Sequence, residues 1–257
     1  MSGHSHFKTV AATKNANDAK KGKIFSKLGR VITIAVKEKG ADITSNIQLK
    51  AAIEKARDFN MPKENIERAI KKGTGELVGE NLEEVSFEGF GPGGIAIIME
   101  GITDNKNRTL GEVKGILGQF EGKMAGEGAV RWMFEKKGVI TIKKPDKSPE
   151  GHFDGPATMP AGQALGGEGL ELIAIEAGAD DVRLTANHAE IYTKPEDFEK
   201  VKKALEEKSV KIESSFLGLT AKEEITVNEK EKERAQKLFE ALDENDAIQD
   251  IYSNLKN

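Results

Sequence analysis

Near Gly75 the chain changes its hydrophobic periodicity and the sign of its charge together. Before this point, apolar residues recur every three to four positions, which is typical of amphipathic helices. After it, short apolar runs alternate with Gly-rich turns and further helical patterns, which is typical of an α+β fold. Because 257 residues exceed the usual size of one hydrophobic core, we predict a small helical domain followed by more than one α+β domain.

Three short helices are predicted within the first 75 residues, over residues 17–39, 46–59 and 62–73. Proline is favoured in the first turn of a helix and glycine at its end, which sets the limits of the third helix at Pro62 and Gly73. Each helix has one apolar face, so the three can share a hydrophobic core.

The first helix also carries a row of cations beside its apolar face. At 100° per residue, its apolar residues fall within a sector of about 140°. The cations fall within a separate sector of about 80° and are Lys20, Lys23, Lys27 and Arg30. This pattern predicts one face packed inward and one exposed basic ridge.

The positive charge of the chain is concentrated at its amino-terminal end. Residues 1–75 contain 16 Lys and Arg against 7 Asp and Glu, whereas the remaining residues contain 23 against 36. Such a local excess attracts polyanions, and phosphate contacts of this kind are salt-dependent and weakly sequence-selective. The predicted nucleic-acid contacts are Lys8, Lys14, Lys20, Lys21, Lys23, Lys27, Arg30, Arg57, Lys63, Arg68, Lys71 and Lys72.

The α+β part begins with a predicted hairpin, in which a Gly-Pro-Gly-Gly turn at 91–94 joins strands at 84–90 and 95–102. Asp104 or Asn105 is placed to cap a helix that runs to about Phe120. Further strands are predicted near Ala129–Glu135 and Gly138–Lys143. The later elements are sufficient for two ferredoxin-like β-α-β units. Residues 144–169 contain four prolines and six glycines and are predicted to form a loop.

No residue set in the sequence predicts catalysis, a metal site or a cofactor. The chain has no Cys, and His4 and His6 have no neighbouring ligands in sequence. The glycine turn lacks the Lys-Ser/Thr of a phosphate loop, and Lys106 occupies a ligand position of the calcium-loop pattern. We predict a non-enzymatic, cytoplasmic protein without a metal, a small-molecule substrate or a membrane segment.

Five strings of the sequence resemble the YebC/PmpR family. They are GHSHF at 3–7, KKGKIFSKL at 20–28, NMPKENIERAIKKGTG at 60–75, EGFGPGG at 88–94 and TDNKNRT at 103–109. The resemblance runs in order to about Lys137 and resumes near Leu170. It implies an N-terminal helical domain and two α+β domains, the third inserted into the second. This chain would then comprise a helical domain at 1–75, a domain at 76–136 plus 220–257, and an inserted domain at 137–219.

The resemblance also implies a regulator of gene expression. Most family members are labelled DNA-binding transcriptional regulators, others are implicated in translation at the ribosome, including at proline-rich stalls, and no enzymatic activity is attached to the family. Phe7 stands where the family usually has Trp, and we predict Phe7 and Arg108 as partner contacts. Charge alone leaves duplex DNA and ribosomal RNA open as the nucleic-acid partner, and a scaffold for an acidic protein is a third alternative.

Overall fold

The computed structural model describes residues 18–143, 167–184, 188–208 and 210–256. Contacts divide the described chain into two compact units. The described residues within Ser2–Met133 and Ala221–Asn257 form the larger unit, and those within Phe134–Thr220 form the smaller unit. The limits of the smaller unit lie within three residues of the 137–219 range implied for an inserted domain.

The helices and strands alternate along the chain after an all-helical start. The helices are α1 (Asp18–Lys39), α2 (Ile47–Asp58), α3 (Lys63–Thr74), α4 (Lys106–Gln119), α5 (Gly167–Ala177), α6 (Phe198–Glu207) and α7 (Glu229–Asp243). The strands are β1 (Glu83–Phe90), β2 (Ala96–Thr103), β3 (Lys123–Ala125), β4 (Phe134–Lys143), β5 (Asp181–Leu184), β6 (His188–Thr193), β7 (Ile212–Ala221) and β8 (Ile248–Ser253). No helix in these ranges is both long and apolar enough to cross a membrane.

The first three helices form a helical head around a core of their own. Its buried members are Ile24, Leu28, Ile32, Ala35, Val36, Leu49, Ala52, Ile53, Ala56, Met61, Ile66 and Ala69. The buried Asn46 side chain accepts the N–H of Leu49 and so caps α2. Helix α3 ends at Thr74, one residue beyond the predicted Gly73, and its C-cap is Gly75, whose φ of 82° lies in the left-handed region that favours glycine. The predicted three-helix arrangement is confirmed.

The sheet of the larger unit has the strand order β3-β1-β2-β8, and its paired strands are antiparallel. The β1–β2 hairpin closes through a turn in which Gly93 and Gly94 have positive φ, as its sequence predicts. One face of this sheet packs against α4 and α7, with Phe87, Met99 and Leu238 among the buried side chains. Asn105 caps α4 by accepting the N–H of Arg108.

The smaller unit has a second sheet with the strand order β5-β6-β4-β7. Its elements follow one another as β-α-β-β-α-β, the ferredoxin-like order. Helices α5 and α6 supply Ala174, Val201 and Leu205 to a core with Ile140 and Ile191 of the sheet. The predicted α+β class is therefore confirmed. Most of the loop predicted at 144–169 lies outside the described residues, but its last three positions belong to α5.

Candidate nucleic-acid interface

The cations of α1 face acidic residues of the same compact unit. Lys27 is 2% exposed, and its Nζ lies 2.6 Å from the main-chain oxygen of Asp243 and 3.1 Å from Oδ1 of that residue. The Nζ of Lys23 donates to the carboxylate of Glu244. This hydrogen bond raises the pKa of Lys23 above its usual value.

These contacts are formed at the carboxyl end of α7. The last carbonyls of a helix have no partner within the helix, and they form the negative end of its dipole. Asp243 is the last residue of α7 and Glu244 is its C-cap, so two ammonium groups are held where carbonyls and carboxylates are both concentrated. Lys23 and Lys27 therefore stabilise the end of α7 while they fix α1 against it.

The same side of α1 continues with Arg30, Ile34 and Lys37. Nη1 of Arg30 lies 3.1 Å from the main-chain oxygen of Ile102, and Nζ of Lys37 lies 3.1 Å from that of Leu82. The side chains of Ile34, Leu82 and Ile102 form a small buried cluster. We name the five residues of α1 in this row the docking stripe: Lys23, Lys27, Arg30, Ile34 and Lys37. Their spacing places them within about 80° of one another on the helix.

The prediction that the cations of α1 form an exposed ridge is wrong. Lys27 is buried, and Lys23 and Arg30 are only partly exposed and hydrogen-bonded to the protein. Of the other predicted contacts at this end, Lys21 is exposed. The side chain of Lys20, and all of Lys8, Lys14 and Phe7, lie outside the described residues.

The remaining predicted cations lie on the outer sides of α2 and α3 and are exposed. In α3, Ile66 and Ala69 point into the core of the head, and Arg68, Lys71 and Lys72 fall on the opposite side at 100° per residue. Arg57 lies on α2, seven residues after Lys50, so the two share one side of that helix. These cations share exposure to solvent on the two helices, and for that shared exposure we name them together the exposed basic face: Lys50, Arg57, Lys63, Arg68, Lys71 and Lys72.

The exposed basic face is largely unneutralised by the protein itself. Lys63 is 3.4 Å from Glu67 in a pair that is exposed on both sides, and such pairs contribute little. The other five cations make no ion pair with any described residue. Lys55, on the other flank of α2, differs: burial lowers its pKa, while the charge of Asp250 acts in the opposite direction. Lys50 was not among the predicted contacts, although its seven-residue spacing from Arg57 was a visible signal.

Arg108, the other predicted partner contact, lies in the first turn of α4. Its guanidinium is about half exposed and donates to the carboxylate of Asp104, with Glu112 3.8 Å away. The hydrogen bond from Arg108 lowers the pKa of Asp104 below its usual value. Two carboxylates thus neutralise Arg108, so its charge is less available to a partner than the charges of the exposed basic face.

Two family models match the chain and together cover most of it. The model described as the TACO1/YebC protein N-terminal domain matches residues 5–76. The model described as the TACO1/YebC second and third domain matches residues 82–255. The interval between them lies in the segment that joins α3 to β1.

Relatives of nearly the same length share about two fifths of the sequence. A probable transcriptional regulatory protein of Caldanaerobacter subterraneus subsp. tengcongensis is 43% identical over 256 residues, which are 100% of this chain and 98% of the relative. A second, from Desulforapulum autotrophicum, is 44% identical and covers 99% of this chain and 96% of the relative. The crystal structure of the conserved hypothetical protein Aq1575 from Aquifex aeolicus is 38% identical, with a TM-score of 0.76 over 93% of this chain and 91% of that one. The chain belongs to the TACO1/YebC family.

Proposed function

We propose that the protein is a non-enzymatic, nucleic-acid-binding regulator of gene expression that acts in the cytoplasm. The observation that carries this proposal is the contrast between two sets of cations in the head. The docking stripe is bound by the protein's own carboxylates and carbonyls, whereas the exposed basic face has almost no acidic partner among the described residues. The names of the relatives, probable transcriptional regulatory proteins, support a role in regulation.

Phosphate is the ligand that the exposed basic face fits best. Exposed cations without an acidic partner are available to an anionic ligand, and the acidic remainder of the chain keeps polyanions away from other surfaces. Lys and Arg bind phosphate oxygens without reading the bases. The protein would therefore recognise the backbone of a nucleic acid through residues 1–75, with 76–136 plus 220–257 and 137–219 as its two other domains.

Binding to ribosomal RNA as a translation factor, including relief of stalled ribosomes, is the second candidate. Helical RNA is recognised mainly through its backbone and shape, for which a cationic surface suffices. An exposed indole at Trp132 favours this candidate, because unpaired bases are abundant in folded RNA and absent from duplex DNA. Recovery of the protein from native lysate, followed by nuclease treatment, separates the two candidates. A translation factor should retain ribosomal RNA after DNase treatment, whereas a DNA-binding regulator should retain chromosomal DNA after RNase treatment.

We expect nucleic-acid affinity to fall steeply with salt. Three to five phosphate contacts by the exposed basic face give a log–log slope of about −3 to −5 for duplex DNA, at roughly 0.9 per contact. Fluorescence anisotropy of a labelled duplex, titrated between low and physiological salt, measures this slope. An affinity that does not change with salt would contradict the proposal that phosphate contacts supply the binding energy.

A further inference from the structure

The segment between β3 and β4 presents the single Trp of the chain to solvent. Trp132 is 65% exposed, and it lies in a short 3-10 turn, Arg131–Met133, directly before β4. A large aromatic side chain that stays exposed contributes little to folding, whereas exposed Trp residues are enriched at binding sites. The position of this side chain therefore points to a ligand.

The backbone below Trp132 is fixed by a buried carboxylate. Glu88 of β1 is 7% exposed, and its two oxygens accept the N–H groups of Gly128 at 2.7 Å, Val130 at 2.7 Å and Arg131 at 3.1 Å. Burial raises the pKa of Glu88, but these backbone hydrogen bonds together outweigh burial and lower it. The carboxylate is therefore ionised at neutral pH and holds the loop in one conformation.

The indole itself is oriented by a second hydrogen bond. Nε1 of Trp132 donates to the main-chain oxygen of Ala129 at 3.0 Å. The only polar group of the side chain is thus occupied within the loop, and the exposed part is the apolar π surface. A surface of this kind recognises a ligand by stacking and not by hydrogen-bond readout.

A cation lies next to this aromatic surface. The guanidinium of Arg131 is about half exposed and pairs with Glu100 at 3.2 Å. Because exposed pairs of this kind contribute at most about 1 kcal/mol, a phosphate can compete for the guanidinium. Trp132 also belongs to the same compact unit as the exposed basic face.

We propose that Trp132 is a stacking platform for an unpaired base of single-stranded nucleic acid, with Arg131 beside it for the adjoining phosphate. The inference rests on the proposed function and narrows its ligand to a nucleic acid with unpaired bases. Aromatic platforms accept any base, because every base has a π face. The stacked bases of a duplex do not offer that face, so duplex DNA leaves Trp132 unused.

Because the chain has a single Trp, its fluorescence emission reports directly whether a ligand is bound at Trp132. We expect an oligouridylate of about 12 nucleotides to lower the Trp emission of the full-length protein. The bound oligonucleotide should also shield the indole from collisional quenching by acrylamide. A duplex of the same length should bind through the exposed basic face without either effect. Trp132→Ala should weaken single-strand binding about tenfold and leave duplex binding unchanged, and Trp132→Phe should retain most of the affinity.

Glu88→Gln provides a second variant that leaves the indole in place. The amide presents N–H donors where the loop also presents donors, so the loop should lose its fixed conformation. The fluorescence anisotropy of Trp132 should then fall relative to the unmodified protein. Single-strand affinity should fall severalfold, and duplex affinity should not change.

The outcomes separate this inference from the proposed function. If a labelled single strand binds while the emission of Trp132 stays constant, the proposal that Trp132 is a stacking platform is wrong. The proposed nucleic-acid-binding function is then supported without it. If no nucleic acid binds at all, both are wrong. If the emission responds to a protein and not to oligonucleotides, the surface is a protein-binding site and the inference is overturned.

Discussion

Reversing four charges of the exposed basic face should abolish nucleic-acid binding and leave the fold intact. In the variant Arg57→Glu, Arg68→Glu, Lys71→Glu and Lys72→Glu, all four positions are exposed and outside the core of the head. Each reversal removes one phosphate contact and adds a repulsive charge, so an affinity loss of at least a hundredfold is expected at physiological salt, where four contacts carry most of the binding. Anisotropy titration measures the loss, and circular dichroism checks the helix content.

A control with the same change in net charge tests whether location matters. The variant Lys200→Glu, Lys222→Glu, Lys230→Glu and Lys237→Glu reverses four exposed cations outside the head. It should bind nearly as well as the unmodified protein, apart from a small long-range effect that salt screens over about 8 Å. Equal losses in both variants would mean that net charge, and not the exposed basic face, governs binding.

The parts of the fold that local signals determine were predictable from the sequence. The three helices of the head follow from apolar periodicity, and the β1–β2 turn follows from two glycines with positive φ. The cap of α4 was narrowed to two residues, and Asn105 takes the role because its side chain accepts the N–H of Arg108. Each of these signals acts within a few residues, so the rest of the fold is not needed to interpret it.

The segment before β4 was predicted wrongly for a nonlocal reason. A strand was expected near Ala129–Glu135, but β4 begins at Phe134 and the preceding residues form a loop and a 3-10 turn. The N–H groups of Val130 and Arg131, which a strand would donate to a neighbouring strand, are taken by Glu88, some forty residues earlier. No local pattern indicates that partner, and for the same reason nothing in the sequence indicates that Trp132 is held in place.

The sequence predicted the exposed cations of α2 and α3, but it did not predict that the cations of α1 contact the protein itself. Lys23, Lys27 and Arg30 lie along one side of α1, as their spacing in the sequence predicts. What the spacing does not contain is the partner, because Asp243 and Glu244 lie more than 200 residues away. A row of cations that faces solvent and a row of cations that faces an acidic helix end have the same pattern in the sequence.

Lys27→Met should destabilise the protein strongly, because it leaves the end of α7 without its buried cation. Methionine fills nearly the same volume as the lysine stem but donates no hydrogen bond. The main-chain oxygen and the carboxylate of Asp243, which is 21% exposed, then lose their partner. Removing one member of a buried pair of this kind costs about 2–4 kcal/mol of the free energy of unfolding. Urea unfolding followed by circular dichroism measures the change.

Lys39→Met is the matched control, since Lys39 is exposed at the end of the same helix and its substitution should change the free energy of unfolding by less than about 0.5 kcal/mol. Nucleic-acid binding then distinguishes the two roles of the α1 cations. If Lys27 only docks the head, Lys27→Met should lower stability while the folded protein keeps its affinity, because the exposed basic face is unchanged. A variant that keeps its stability and loses its affinity would instead mean that Lys27 leaves Asp243 to contact phosphate, which would restore the α1 ridge as the binding surface.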